Sequence, residues 1–320
     1  MMQRPNQRQP EFDVSAAPEL ASAWSYSADR YDQIQEVIHQ CLPDFAACVA
    51  VSGSLARMEA HSASDIDLII VADDRHRNIT DTEAADAVAL VWDRLDVLGA
   101  ARPKAGGVFS VCARWNDLVD PASKGRIDES LITFGHRIQL LMDAQPVFSE
   151  SRFLELQKDI LVWYSETRVA LMFEEAGPFH WLWQDVHRYW RSLRSRTCWT
   201  DTNDSAKSLA LNVKLRSSRL LLVFGFLKAL DVCDCLQVPL NSVVDSLTGI
   251  LFRTPAERVL LQAESIACWN TIWKFIQETS VHPVSRLPPH ILRALSELSD
   301  SVLELTGNPE QPGYVQRWLM

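Results

Sequence analysis

Two short stretches carry residue types that can do chemistry together: Gly53-Ser54 and, beginning eleven residues after Ser54, Asp65-Ile66-Asp67. The first follows an apolar run, Ala46 to Val51, and the second opens an apolar run that reaches Ala72. Both runs read as strands, with a short helix from about Leu55 to Ala60 and a polar loop, His61-Ser62-Ala63-Ser64, between them. Side chains alternate faces along a strand, so Asp65 and Asp67 are expected on one side and Ile66, Leu68 and Ile70 in a core. Two carboxylates on one face can grip a hard divalent cation. A Gly-Ser turn at the start of a helix offers backbone N–H groups and a hydroxyl to phosphate. These are the parts needed to hold a metal-bound nucleoside triphosphate.

The elements that must position these residues are legible around them. Ala17 to Leu42 has helical spacing at Leu20, Trp24, Tyr31, Ile34, Val37 and Ile38, and Pro43 ends it. A helix from about Thr82 to Arg94 turns Ala85, Val88, Ala89 and Trp92 inward and is capped by Thr80 or Asp81. The loop Gly99 to Gly107 then feeds an expected strand, Val108 to Ala113. Such alternation within a short span argues for a small α/β unit.

From Glu129 onward the strand signals stop. Helices are expected over Leu131–Asp143 and Glu150–Glu174, joined at Gln145-Pro146-Val147-Phe148 and broken at Gly177-Pro178. Others are expected over Trp181–Arg196 and Ser208–Leu230, and in Leu251–Ile276 and Pro288–Leu305. The expected fold class is therefore α+β. A flexible tail (1–16) precedes an α/β domain (17–150) and an all-α domain (151–320).

Charge sharpens this division. Residues 1–150 hold 13 Lys and Arg against 23 Asp and Glu, whereas residues 151–320 hold 18 against 18, so all of the net −10 lies in the first half. Within the second half, residues 185–228 hold nine Lys and Arg against three Asp. An acidic face suits metal capture and a basic patch suits phosphate. The chain lacks the broad positive surface that accompanies extended nucleic acid, which argues against such a substrate. No apolar run approaches the ~18 residues of a membrane span. Seven cysteines at irregular spacing, including Cys233-Asp234-Cys235, fit reduced thiols and a cytoplasmic location rather than a disulfide or zinc framework. The histidines show no metal-ligand spacing.

The pattern Gly53-Ser54-x-x-Arg57-x-Glu59-x-x-x-x-Ser64-Asp65-x-Asp67 resembles the signature of the DNA polymerase β-like nucleotidyltransferase superfamily. Its Arg, Glu and Ser positions resemble more narrowly the signal-protein uridylyltransferases of nitrogen signalling and bacterial nucleotidyltransferase-like proteins fused to CBS domains. The resemblance implies a magnesium-dependent enzyme that moves AMP or UMP from a nucleoside triphosphate to an acceptor hydroxyl, releasing pyrophosphate. It implies two magnesium ions, replaceable by manganese, on Asp65 and Asp67 as catalytic metal ligands. Gly53 and Ser54 would meet the β- and γ-phosphates. Arg57 would either meet phosphate or pack beneath it, and Ser64 would orient Asp65.

The stretch Leu95-Asp96-x-Leu98-Gly99, followed by Gly106-Gly107-Val108-x-Ser110, resembles the glycine-rich segment of the CBS-fused group. Further on, Asp185-Val186-x-Arg188-Tyr189-Trp190-Arg191 with Lys214-Leu215-x-x-Ser218-Arg219 resembles a paired motif of that group's helical domain, with Gln184 in place of Asn. This implies Arg188, Lys214 and Arg219 as cationic support for the triphosphate. Thr254-Pro255-x-Glu257-Arg258 is similar to that group's distal helix. The third carboxylate usual in the superfamily is not obvious: Asp96 and Asp117 are weak candidates. The acceptor implied is a protein or a small molecule. The alternatives are a catalytically silent nucleotide sensor and a tRNA-modifying nucleotidyltransferase.

Overall fold

The computed structural model describes residues 3–42, 45–165, 179–199, 205–234, 239–259 and 263–304. Pro43, the break at Gly177-Pro178 and Cys235 lie outside these residues. The chain divides into two compact units. One comprises Tyr26–Ala60 and Ser64–Pro178, and the other Met1–Ser25, His61–Ala63 and Phe179–Met320.

The first unit is built on a four-stranded mixed sheet. Strand β1 (Ala46–Ser52) lies between β2 (Asp67–Ala72) and β4 (Ala144–Phe148), antiparallel to both, and β3 (Ala113–Arg114) pairs parallel with the far end of β2, giving the order β3-β2-β1-β4. One sheet face and its surroundings form a core from Val49, Val51, Ile66, Leu68 and Ile70 together with Val147. Helix α1 (Pro18–His39) adds Tyr31, Ile34 and Ile38 to this core, and α3 (Asp81–Leu95) adds Ala84, Val88, Val91 and Trp92. The start of α3 follows local chemistry: Thr80 and Glu83 form a reciprocal capping box. Helices α5 (Leu131–Met142) and α6 (Glu150–Ser165) complete the unit, α6 packing on β1.

Two expectations are corrected here. The segment read as a joint, Gln145 to Phe148, is part of edge strand β4; Pro146 breaks the sequence signal, yet a sheet edge tolerates a residue without an N–H. Strand β4 pairs with β1 inside the compact unit that comprises Tyr26–Ala60 and Ser64–Pro178. The expected strand Val108–Ala113 is instead a 3-10 turn over Val108–Ser110 and a two-residue strand. Val108 is held by helix α5, where a Cβ on Gly135 would lie 3.0 Å from Val108 Cγ2 and His136 Nε2 donates to the Val108 carbonyl at 2.7 Å.

The second unit is helical. Its described elements are α7 (His180–Trp199), α8 (Ser205–Arg216), α9 (Ser218–Asp234), α10 (Leu240–Leu251), α11 (Pro255–Val259), α12 (Ala263–Val281) and α13 (Pro289–Glu304). Helix α9 is central, with Leu221, Val223, Phe224, Phe226, Leu227 and Leu230 all buried, as a helix apolar on every side must be. Gly225 lets α11 approach it: a Cβ there would stand 2.7 Å from the Pro255 carbonyl oxygen. Among the described residues no helix is long and apolar enough to cross a membrane.

The expected tail is anchored to this unit from residue 3 onward. Arg8 pairs with both carboxylate oxygens of buried Glu257 at 2.7 and 2.8 Å, the Glu11 amide donates to the same carboxylate, and Trp24 Nε1 donates to the Arg8 carbonyl. A buried carboxylate needs a charged, hydrogen-bonded partner, and the tail supplies it. Burial pushes the Glu257 pKa up, but Arg8 outweighs it and holds the group below its ordinary range.

Candidate active site

The strand register brings the two chemical stretches together. Ser52, the last residue of β1, pairs with Asp67, the first of β2, so the chain enters its turn directly beside that carboxylate. Gly53 then adopts φ +70°, and a Cβ on it would lie only 2.6 Å from Asp67 Oδ2. Both facts require glycine: the left-handed region is strained for other L-residues, and no side-chain atom fits at that distance. Gly53 opens the one-turn helix α2 (Gly53–Ala56), and the chain leaves it through Met58 at φ +59°. The Glu59 amide donates to the Ser54 carbonyl at 2.8 Å and fixes this tight exit.

Asp65 departs slightly from expectation. Strand β2 begins at Asp67, so Asp65 lies in the chain just ahead of it. Burial still alternates, with Asp65 exposed, Ile66 in the core, Asp67 half-buried and Leu68 in the core. Asp65 makes no hydrogen bond or ion pair with the described residues. Ser64 is half-buried beside it.

Arg57 occupies the packing role of the two that its position allowed. Its guanidinium is buried, with Nε donating to Glu59 at 2.9 Å and Nη1 to both oxygens of Asp143 at 2.8 and 2.7 Å. Burial alone would lower the Arg57 pKa; the adjacent Asp143 and Glu59 charges reverse this and raise it. Asp143 directly precedes Ala144, the β4 residue paired with Ser52. The network therefore clamps the exit of α2 to the strand beside the turn. Nothing in the local sequence marks Asp143 as the partner of a residue 86 positions away.

Ser52 is a second residue that the motif reading passed over. Its Oγ is buried without a hydrogen-bond partner among the described residues, on the strand end that delivers Gly53. A buried hydroxyl without a partner is uncommon enough to call for an explanation at the site itself.

The weak candidates for a third carboxylate do not join this group. Asp117 lies in α4 (Trp115–Leu118), directly after β3, and β3 pairs with Val71 and Ala72 at the opposite end of β2 from Asp67. Desolvation and then the charge of Asp74 raise the Asp117 pKa. Asp96 sits in the turn after α3, 3.8 Å from Arg102. Among the described residues no group of three or more His, Cys, Asp or Glu is arranged to hold a metal ion.

The remaining candidates belong to the helical unit. Arg188, on α7, is partly exposed and stands 3.5 Å from Asp185 one turn earlier. Lys214 is exposed on α8, and Arg219 is half-buried on α9. In the same unit, His61 is buried 5.8 Å from the Trp273 ring; burial and then the Lys214 charge lower its pKa. The Thr254–Glu257 motif proves structural: the two side chains form a capping box at α11, and Glu257 also receives Arg8.

Residues 17–120 match the family model described as Putative nucleotidyltransferase DUF294. The match supports assigning this segment to the nucleotidyltransferase superfamily. It contains β1, the Gly53-Ser54 turn, Asp65, Asp67 and β3, so the family match and the paired site fall on the same residues. The match supports a general nucleotidyltransferase role, and a nucleoside triphosphate is the donor that enzymes of this kind use. The resemblance in the sequence reached roughly residue 260, whereas the matched nucleotidyltransferase segment ends at residue 120, before α5 and β4. No curated protein matches the chain.

Proposed function

We propose that the chain transfers a nucleoside monophosphate, AMP or UMP, from a nucleoside triphosphate to an acceptor hydroxyl on a protein or small molecule, releasing pyrophosphate. The observation that carries this reading is the close approach of Gly53 to the Asp67 carboxylate, which sets the Gly53-Ser54 turn directly against that acid. The donor set fits a hard divalent cation. Asp65 offers an exposed carboxylate without a partner among the described residues, Asp67 a half-buried one, and buried Ser52 Oγ lies on the paired strand end. Magnesium is commonly bound through one or two carboxylates with substrate phosphates and water completing its shell, so two acids suffice as the protein's share.

Asp65 and Asp67 would hold magnesium or manganese. The metal, when bound, would supply positive charge to activate the attacking hydroxyl and steady the pyrophosphate leaving group. The amides of Gly53 and Ser54 bind the β- and γ-phosphates, and Ser64 orients Asp65. Arg57, Glu59 and Asp143 keep the turn in place from beneath, because a displaced turn would misplace the phosphates. We also propose Arg188, Lys214 and Arg219 as phosphate-binding residues. A cytoplasmic location is part of the same proposal, consistent with free thiols at all six described cysteines.

A second reading, a nucleotide sensor without transfer activity, is favoured by the lack of a three-acid group among the described residues. Incubation with each of the four labelled ribonucleoside triphosphates and magnesium in cell extract separates the readings. Label moving to a protein or small molecule is the expected outcome. Triphosphate binding with no label moved would leave the sensor reading, and label on tRNA would replace the proposed acceptor.

A further inference from the structure

The solvent face of α7 combines charge and aromatic surface, and apart from Arg188 none of it has a part in the proposed transfer reaction. Its buried side carries Leu182, Trp183, Val186, Tyr189, Trp190 and Thr197. Positions three or four apart share a helix face, so Trp181, Arg188, Arg191, Ser195 and Trp199 form a stripe on the opposite side, bordered by Arg194 three residues after Arg191. Trp181 is 43% exposed and Trp199 86%, whereas the other two tryptophans of this helix, Trp183 and Trp190, are buried. From Arg188 to Trp199 there are four arginines and no acid. Arg191 and Arg194 are exposed and make no hydrogen bond or ion pair with the described residues.

We infer that this α7 face binds a short single strand of nucleic acid, with Arg191 and Arg194 on its phosphates and Trp199 stacked on a base. Each part of the surface has a matching part in that ligand. Guanidinium groups pair with phosphate oxygens, and an exposed indole stacks on any base regardless of sequence. An acidic polypeptide would match the arginines but leave the tryptophans unused. From Trp181 to Trp199 the helix spans about 27 Å at 1.5 Å per residue, a length for a few nucleotides rather than for a wrapped duplex. A short strand is also compatible with the net charge of −10, which disfavours extended nucleic acid. The inference concerns α7 alone and does not depend on the transfer reaction proposed above.

The test is fluorescence anisotropy of the full chain with a labelled single-stranded RNA of about twelve nucleotides, and its DNA counterpart, in salt from about 50 to about 200 mM. Wild-type protein binds, with affinity falling steeply as salt rises. Arg191→Glu with Arg194→Glu weakens binding more than about tenfold and flattens the log–log salt slope by about 1.4, two single-strand phosphate contacts. Arg191→Lys with Arg194→Lys retains most of the affinity. Trp199→Ala weakens binding about tenfold and leaves the slope unchanged, the signature of stacking. Far-UV circular dichroism confirms that each variant folds. Failure of the wild type to bind, or binding indifferent to all of these variants, overturns the inference. So does poly-glutamate binding as tightly as RNA with no effect of Trp199→Ala, which would make the face a protein-docking surface. Asp65→Asn with Asp67→Asn retains RNA binding, so failure of the transfer reading and failure of this one are read out separately.

Discussion

The two ends of β2 carry acids for opposite purposes. At its C-terminal end Asp73 is saturated with arginine: Arg75 bonds both carboxylate oxygens at 2.9 Å, and Arg152 reaches the same group at 2.5 Å. Glu155 receives both arginines, and Arg75 stacks 3.7 Å from the Trp115 ring centroid. The Arg75 hydrogen bond pulls the Asp73 pKa to about 2. At the N-terminal end, Asp65 has no arginine, hydrogen bond or ion pair among the described residues, and the arginine nearest in sequence, Arg57, is turned inward onto Glu59 and Asp143. Acids whose task is to fix the fold are neutralised inside the fold. Asp65 is exposed without a counter-charge among the described residues, and Gly53 lies against its neighbour Asp67; this is the end we propose for the ligand.

The largest expected effect comes from breaking the ion network that keeps Arg57 inward. Arg57→Met leaves Asp143 and Glu59 buried without their cation, and removing one partner of a buried pair costs about 3–5 kcal/mol. Urea unfolding would show this as a lower midpoint. Little or no loss would mean that Arg57 is not the clamp described here.

His136 gives a slightly smaller effect, read by pH. Desolvation pushes its pKa from 6.5 to about 4, so the folded chain disfavours the proton that the unfolded chain accepts. The neutral ring's stabilising advantage is fully present above pH 6.5 and is lost as pH falls towards 4, in total about 3 kcal/mol. His136→Gln, which can still donate to the Val108 carbonyl, should flatten that part of the stability profile.

Gly53→Ala tests the other side of the contrast. The new methyl group meets Asp67 Oδ2 and requires a strained φ, so nucleotidyl transfer should fall about 100-fold, the scale set by a misplacement of about 1 Å. Asp73→Asn, at the saturated end, should leave transfer near wild type while lowering stability. Equal losses of transfer in the two variants would erase the distinction between the ends.

The smallest effect concerns the anchored N-terminal segment. Arg8→Ala should cost about 2 kcal/mol by removing charge-assisted hydrogen bonds to Glu257. Because Arg8 lowers the Glu257 pKa, its contribution is present above the ordinary carboxylate range and is lost as pH falls through the lowered value. The difference between variant and wild type should therefore shrink in acid.

What could be read from the chain was what is local. The Gly-Ser turn, the apolar strands flanking it, the alternation at Asp65 to Leu68 and the Thr80 cap all depend on neighbours a few residues apart. Edge strand β4 could not be read, because Pro146 breaks the strand signal and only pairing with β1 makes it one. The partners of Arg57 and Arg8 were equally hidden: Asp143 and Glu257 lie 86 and 249 residues away, and an ion pair leaves no periodic trace in sequence. The same limit explains Ser52, whose significance comes from burial beside Asp67 across the sheet rather than from its place before Gly53.

The decisive measurement is pyrophosphate release from a nucleoside triphosphate with magnesium and the acceptor identified from labelled extract, comparing wild type with Asp65→Asn plus Asp67→Asn. Both preparations should show the same circular dichroism. The wild type should release pyrophosphate in step with acceptor labelling, and the double variant should fall to background. Release unchanged in the double variant would show that these two carboxylates do not hold the reaction.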